Sequence, residues 1–111
     1  MKNFLLKTCL FLALLLVIRS VSANVSLVVL GDSLSAGYGL SQEQTWVAEL
    51  DRRWESSHPD INIINASISG ETTRGGLRRV EGVLERHKPD ALFIELGGND
   101  RLRGFDLNTV R

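Results

Sequence analysis

Three short, mostly apolar runs, each closed by a polar turn, constrain this chain more than any other feature. Val25 to Leu30 leads into Gly31-Asp32-Ser33-Leu34, Ile61 to Ile64 into Asn65 and the loop to Gly70, and Ala91 to Leu96 into Gly97-Gly98-Asn99-Asp100. A continuous apolar run of this length suits a strand buried on both faces of a parallel sheet, whereas a half-exposed strand would alternate. Polar tips at strand ends matter because an open α/β sheet binds ligands in the crevice outside the carboxyl ends of its strands. The Ser33 hydroxyl and the Asn99 carboxamide could therefore share one pocket.

The segments between the runs have helical period. Ser41 offers an N-cap hydroxyl with Gln44 three residues on, the pattern of a capping box. Trp46, Val47, Leu50 and Trp54 then make one apolar stripe, with Glu49, Asp51, Arg52, Arg53 and Glu55 on the other faces, so spacing alone accounts for both tryptophans as core residues. Pro59 closes this helix. A second is expected from Thr73 to His87, presenting Leu77, Val80, Val83 and Leu84 on one side and ending before Pro89. Gly75, Gly76 and Gly82 each weaken it by up to ~1 kcal/mol relative to alanine, a cost that close packing on a strand or room for a substrate would explain. Asp106 to Arg111 reads as the start of a further helix. Strands alternating with helices imply right-handed crossovers and a parallel sheet. The expected fold is a three-layer α/β/α doubly wound parallel sheet.

The first stretch stands outside that fold. Lys2 and Lys7 flank the start, Cys9 to Ile18 is an apolar run, and Val21-Ser22-Ala23 places small residues where a signal peptidase reads them. The run is too short for a bilayer span, which needs about 20 residues, and Arg19 interrupts it. Residues 1–23 are therefore read as a secretory signal peptide and residues 24–111 as the folded region. Cleavage removes Cys9, the sole cysteine, and with it any disulfide, thiol nucleophile or cysteine-ligated metal. It leaves 13 acidic residues against the basic ones that remain once Lys2, Lys7 and Arg19 are gone. That acidic balance argues against a nucleic-acid partner, which would favour a basic face.

Taken together and in order, Gly31-Asp32-Ser33-Leu34, Asn65-Ala66-Ser67-Ile68-Ser69-Gly70-Glu71-Thr72 and Glu95-Leu96-Gly97-Gly98-Asn99-Asp100 resemble the first three blocks of the SGNH (GDSL) hydrolases. The likeness is greatest to the bacterial periplasmic thioesterase, lysophospholipase and arylesterase group, and Leu102-Arg103-Gly104-Phe105 extends it. The resemblance implies the N-terminal part of a flavodoxin-like SGNH fold and an exported, periplasmic serine esterase or thioesterase. Its substrates would be acyl thioesters, lysophospholipids or aryl esters, and no metal or organic cofactor is implied. It also implies Ser33 as nucleophile, with the backbone N–H groups of Ser33 and Gly70 and the side-chain amide of Asn99 as oxyanion donors. Taken singly, each residue has a plainer reading: Ser33 as a helix cap, Gly70 as a turn glycine, Asn99 as a loop stabiliser. Asp32 reads as a structural residue that bonds nearby backbone donors.

One part of the family pattern is missing. SGNH enzymes carry Asp-x-x-His near the C-terminus, supplying the general base and the carboxylate that orients it, and this sequence contains no such motif. His58 lies in a connector before Pro59, and His87 closes the second helix, where the helix dipole favours it. Neither is expected to be the base. The sequence is therefore expected to be the N-terminal part of a longer chain and to turn over little by itself. The alternative is a non-catalytic carbohydrate- or anion-binding module of the same fold, with Arg101 and Arg103 beside Asn99 supporting an anion.

Overall fold

The computed structural model describes residues 1–7 and 24–110. The apolar run beginning at Cys9 and the expected cleavage site at Ala23 lie outside the described residues. Among those described, no helix is long and apolar enough to cross a membrane.

Strands β1 (Val25–Gly31), β2 (Ile61–Asn65) and β3 (Ala91–Glu95) form one parallel sheet in the order β2-β1-β3. Strand β1 is central, and Val28, Val29 and Leu30 on it are at most 1% exposed, as expected for a strand covered on both faces and both edges. In register, Val29 pairs with Asn65 and with Phe93, and Gly31 pairs with Glu95. The last residues of all three strands thus lie near one level, on one face of the sheet, because side chains alternate along each strand.

After β1 the described residues form helices α1 (Ser33–Ala36), α2 (Trp46–Ser57), α3 (Thr73–His87) and α4 (Gly98–Leu102), with 3-10 turns at Gln42–Gln44 and Leu107–Thr109. Helix α2 covers the face of Val29 and Phe93, where the Trp46 and Phe93 rings meet edge to face at 5.8 Å. Helix α3 covers the opposite face. A Cβ on Gly76 would lie 2.5 Å from Leu96 Cδ1 and 4.0 Å from Leu30 Cδ2, so glycine lets the backbone of α3 approach the sheet closely. Opposite faces follow from right-handed crossovers that leave β1 in one direction and return past it in the other.

Several local expectations are corrected. Gln44 Oε1 does accept from the Ser41 N–H at 3.1 Å, but that cap starts the 3-10 turn. Helix α2 begins later, at Trp46, because Thr45 Oγ1 accepts from the Ala48 N–H and makes Thr45 the N-cap. Trp46 is 39% exposed and Leu77 is 75% exposed, so neither is the buried core residue that periodicity suggested. Strand β3 is not buried, with Phe93 48% and Ile94 57% exposed, because nothing among the described residues pairs with its outer edge. The segment after Asp106 forms a single 3-10 turn in which Asp106 Oδ1 accepts from the Asn108 N–H.

Candidate active site

The order β2-β1-β3 is the start of a flavodoxin-like doubly wound sheet, whose switch point lies between β1 and β3. Ser33 follows the first of these strands and Asn99 the second. The loop after β2, carrying Gly70, folds back against the end of β1.

Asp32, 3% exposed, builds the Ser33 turn. Its Oδ1 accepts from the Leu34 N–H at 3.0 Å and its carbonyl from the Ala36 N–H at 2.8 Å. Gly37, with φ 80°, closes the turn by donating to the Ser33 carbonyl. Asp32 is thus the N-cap and Ser33 the first helical residue, so the capping role that Ser33 could have had belongs to its neighbour.

Three bonds fasten the Gly70 loop to β1. The Ala66 N–H donates to the Val29 carbonyl, the Ile68 N–H donates to the Gly31 carbonyl, and Ser67 Oγ accepts from the Gly31 N–H at 3.0 Å. Arg79 then ties the two ends of the loop together, since Nε donates to Glu71 Oε2 at 2.7 Å and Nη2 to the Ala66 carbonyl at 3.0 Å. Gly70 has φ 81°, and a Cβ there would have only Arg103 Nη2, at 3.9 Å, within reach. The backbone conformation, not crowding, selects glycine at this position, and the space beside it is open.

Asn99 Nδ2 donates to the Glu71 carbonyl at 2.9 Å, linking the loop after β3 to the loop after β2. The amide carries two hydrogens, and this bond uses one. Beside it, Asp100 is 2% exposed, and its two oxygens accept from the N–H and the hydroxyl of Thr73 at 2.9 and 2.7 Å. Desolvation pushes the Asp100 pKa up, but the bonds from Thr73 and from its own backbone, with Arg103 nearby, outweigh it and hold the carboxyl below its ordinary value. The start of α3 is therefore clamped to α4.

All three expected site residues thus stand at the carboxyl ends of the strands. The two histidines do not: His58 caps the C-terminus of α2, beside Trp54, and His87 ends α3, so both precede the strands that follow them at the amino edge of the sheet. Sequence reasoning missed the part played by Ser35, Glu95 and Thr73. The available signal was a polar residue at or next to the end of each later run, Asn65 on β2 and Glu95 on β3. Among the described residues, no group of three or more His, Cys, Asp and Glu side chains could hold a metal ion.

Residues 29–111, from the middle of β1 through the last turn, match the GDSL-like lipase/acylhydrolase family. The chain belongs to this family. It is 46% identical over 95 residues to thioesterase 1/protease 1/lysophospholipase L1 of Escherichia coli K12, covering 86% of this chain and 44% of that protein. To esterase TesA of Pseudomonas aeruginosa PAO1 it is 47% identical over 104 residues, covering 94% of this chain and 50% of that protein. Among solved structures, the psychrotrophic esterase EstA from Pseudoalteromonas sp. superposes with a TM-score of 0.73 at 49% identity, covering 77% of this chain and 46% of that one. The chain thus spans about half the length of the curated relatives it matches.

Proposed function

We propose that Ser33 is the nucleophile of an acyl-ester hydrolase and that the backbone N–H groups of Ser33 and Gly70, with the Asn99 amide, receive the oxyanion. The observation that carries this reading is the placement of Ser33 and Asn99 at the two strand ends flanking the switch point, with Asn99 bonded into the Gly70 loop. Ser33 Oγ attacks the carbonyl carbon of an ester or thioester and forms the acyl-serine bond, and the alcohol or thiol leaves with a proton. Water then hydrolyses the acyl-serine and releases the acid. Donors about 2.7–3.1 Å from the developing oxyanion stabilise both tetrahedral states, and a neutral amide does so without carrying charge of its own.

The Ser33 proton needs an acceptor, and neither His58 nor His87 stands at this end of the sheet. Residues 24–111 alone are therefore expected to turn over little. The substrate class follows from the relatives, one named a thioesterase and lysophospholipase and another an esterase, so acyl thioesters, lysophospholipids and simple esters are the compounds to assay. Export through residues 1–23, with the periplasm as destination, completes the proposal.

The test is covalent labelling of the complete gene product with a fluorophosphonate, a choice favoured by the EstA relative, whose structure is described as inhibited by monoethylphosphonate. Peptide mass spectrometry is expected to place the adduct on Ser33, and Ser33→Ala is expected to abolish it. A folded protein that stays unlabelled, or is labelled elsewhere, overturns the reading and leaves the carbohydrate- or anion-binding module.

A further inference from the structure

Ser35, two residues beyond Ser33 in the same helical turn, is 0% exposed and touches every strand end. Its hydroxyl donates to Glu95 Oε2 at 2.8 Å and accepts from Trp46 Nε1 at 3.1 Å, and its carbonyl accepts from Asn65 Nδ2 at 2.7 Å. Asn65 is the last residue of β2 and Glu95 the last of β3. Gly31, the last of β1, makes room for them: a Cβ there would lie 2.8 Å from Ser35 Oγ and 2.9 Å from Glu95 Oε2.

The direction of this chain of bonds follows from its members. An indole N–H only donates and a carboxylate only accepts, so the single Ser35 hydrogen goes to Glu95 and Trp46 meets the remaining lone pair. The bond to a carboxylate is roughly twice as strong as a neutral one. Helix α1 is only four residues long, too short to persist through its own hydrogen bonds. Asp32 and Gly37 shape its two ends, yet both belong to the same local segment. The bonds at Ser35 hold the turn at a fixed height against the other two strand ends.

We infer that Glu95, acting through Ser35, is a positioning residue that sets where Ser33 stands relative to the Gly70 and Asn99 loops. This inference rests on the reading of Ser33 as nucleophile. Loss of the Glu95 acceptor frees the Ser35 hydroxyl and lets the turn shift, and a misplacement of about 1 Å costs on the order of 10²-fold in rate.

The experiment compares wild type, Glu95→Ala, Glu95→Gln and Ser35→Ala in the complete gene product. Two readouts are taken: the rate of fluorophosphonate labelling at Ser33, and the NMR resonances of the Ser33 amide and the Trp46 indole N–H. Glu95→Ala and Ser35→Ala are expected to slow labelling by about 10²-fold and to displace both resonances. Glu95→Gln, which keeps an acceptor oxygen, is expected to restore labelling and the wild-type resonances. Ser35→Ala changes side-chain volume little and keeps the test decisive should Glu95→Ala fail to fold. Unchanged labelling and resonances in folded Ser35→Ala, or Glu95→Gln as damaging as Ser35→Ala, overturn the inference. An unlabelled wild type refutes the nucleophile reading instead. In that case the Ser33 amide resonance still decides whether Glu95 positions the turn, by moving in Glu95→Ala or Ser35→Ala and not in Glu95→Gln.

Discussion

Val29 and Leu30 on β1 pair in register with Phe93 and Ile94 on β3, yet the first two are at most 1% exposed and the last two are 48% and 57% exposed. Both strands come from similar apolar runs. What differs is the number of neighbours, since among the described residues β1 has a strand on each side and β3 has one. The polar apparatus at the carboxyl ends does not share this asymmetry. Ser35, Asn65, Glu95, Thr73 and Asp100 find their partners among the three strands and the helices that follow them, and no buried side-chain nitrogen or oxygen among the described residues lacks a hydrogen bond. These polar side chains are thus partnered within residues 24–110, while Phe93 and Ile94 of β3 are left partly uncovered there.

This contrast yields predictions that fall in size. Leu30→Ala should cost about 2–5 kcal/mol, the range for a buried leucine, while Ile94→Ala should cost about 1 kcal/mol or less because its side chain is already wet. Urea unfolding of the two variants checks this, and equal losses would erase the distinction between the strands. On α3, Gly76→Ala should destabilise by about 1–3 kcal/mol through the contact with Leu96. Gly82→Ala, which meets nothing within 4 Å, should stabilise by about 0.4–1 kcal/mol. The opposite signs in thermal melts would locate the close approach of α3 to the sheet. Replacing Phe93 by serine should cost about 1 kcal/mol through the lost edge-to-face contact with Trp46 and reduce self-association, measured by sedimentation, since an open apolar strand recruits other chains.

The smallest effect concerns pH. Asp100 is held below its ordinary pKa in the folded state, so its contribution is present above the unfolded value of about 4. It is lost as pH falls through the lowered folded value. Asp100→Asn should therefore lose less stability than wild type on acidification below that range, as read by melts at a series of pH values. An identical acid dependence in the two proteins would show that the clamp on Thr73 does not titrate with the fold.

The sequence made the parallel strands legible because apolar runs and turn glycines are local signals, and α3 matched its expected span because Pro89 and the apolar period both mark it. Helix α2 was misread at its start because Ser41-to-Gln44 and Thr45 are both competent caps, and only the packing of Val47 and Trp46 decides between them. Ser33, Gly70 and Asn99 are proposed as site residues through motifs that each lie in a single stretch of sequence. The Ser35–Glu95 and Thr73–Asp100 pairs escaped because their members are 60 and 27 residues apart, and nothing local marks one member as the partner of the other. Burial of β3 was overestimated for a related reason, since an apolar run says that a strand prefers cover and not that cover is present.

The central claim is that three strand ends present Ser33, Gly70 and Asn99 to one acyl oxygen, and a crystal structure of the phosphonylated complete gene product tests it most directly. The account predicts an adduct on Ser33 Oγ with one phosphonyl oxygen about 2.7–3.1 Å from the Ser33 N–H nitrogen, the Gly70 N–H nitrogen and Asn99 Nδ2. A phosphonyl oxygen that points to solvent, or is held by other donors, would contradict it.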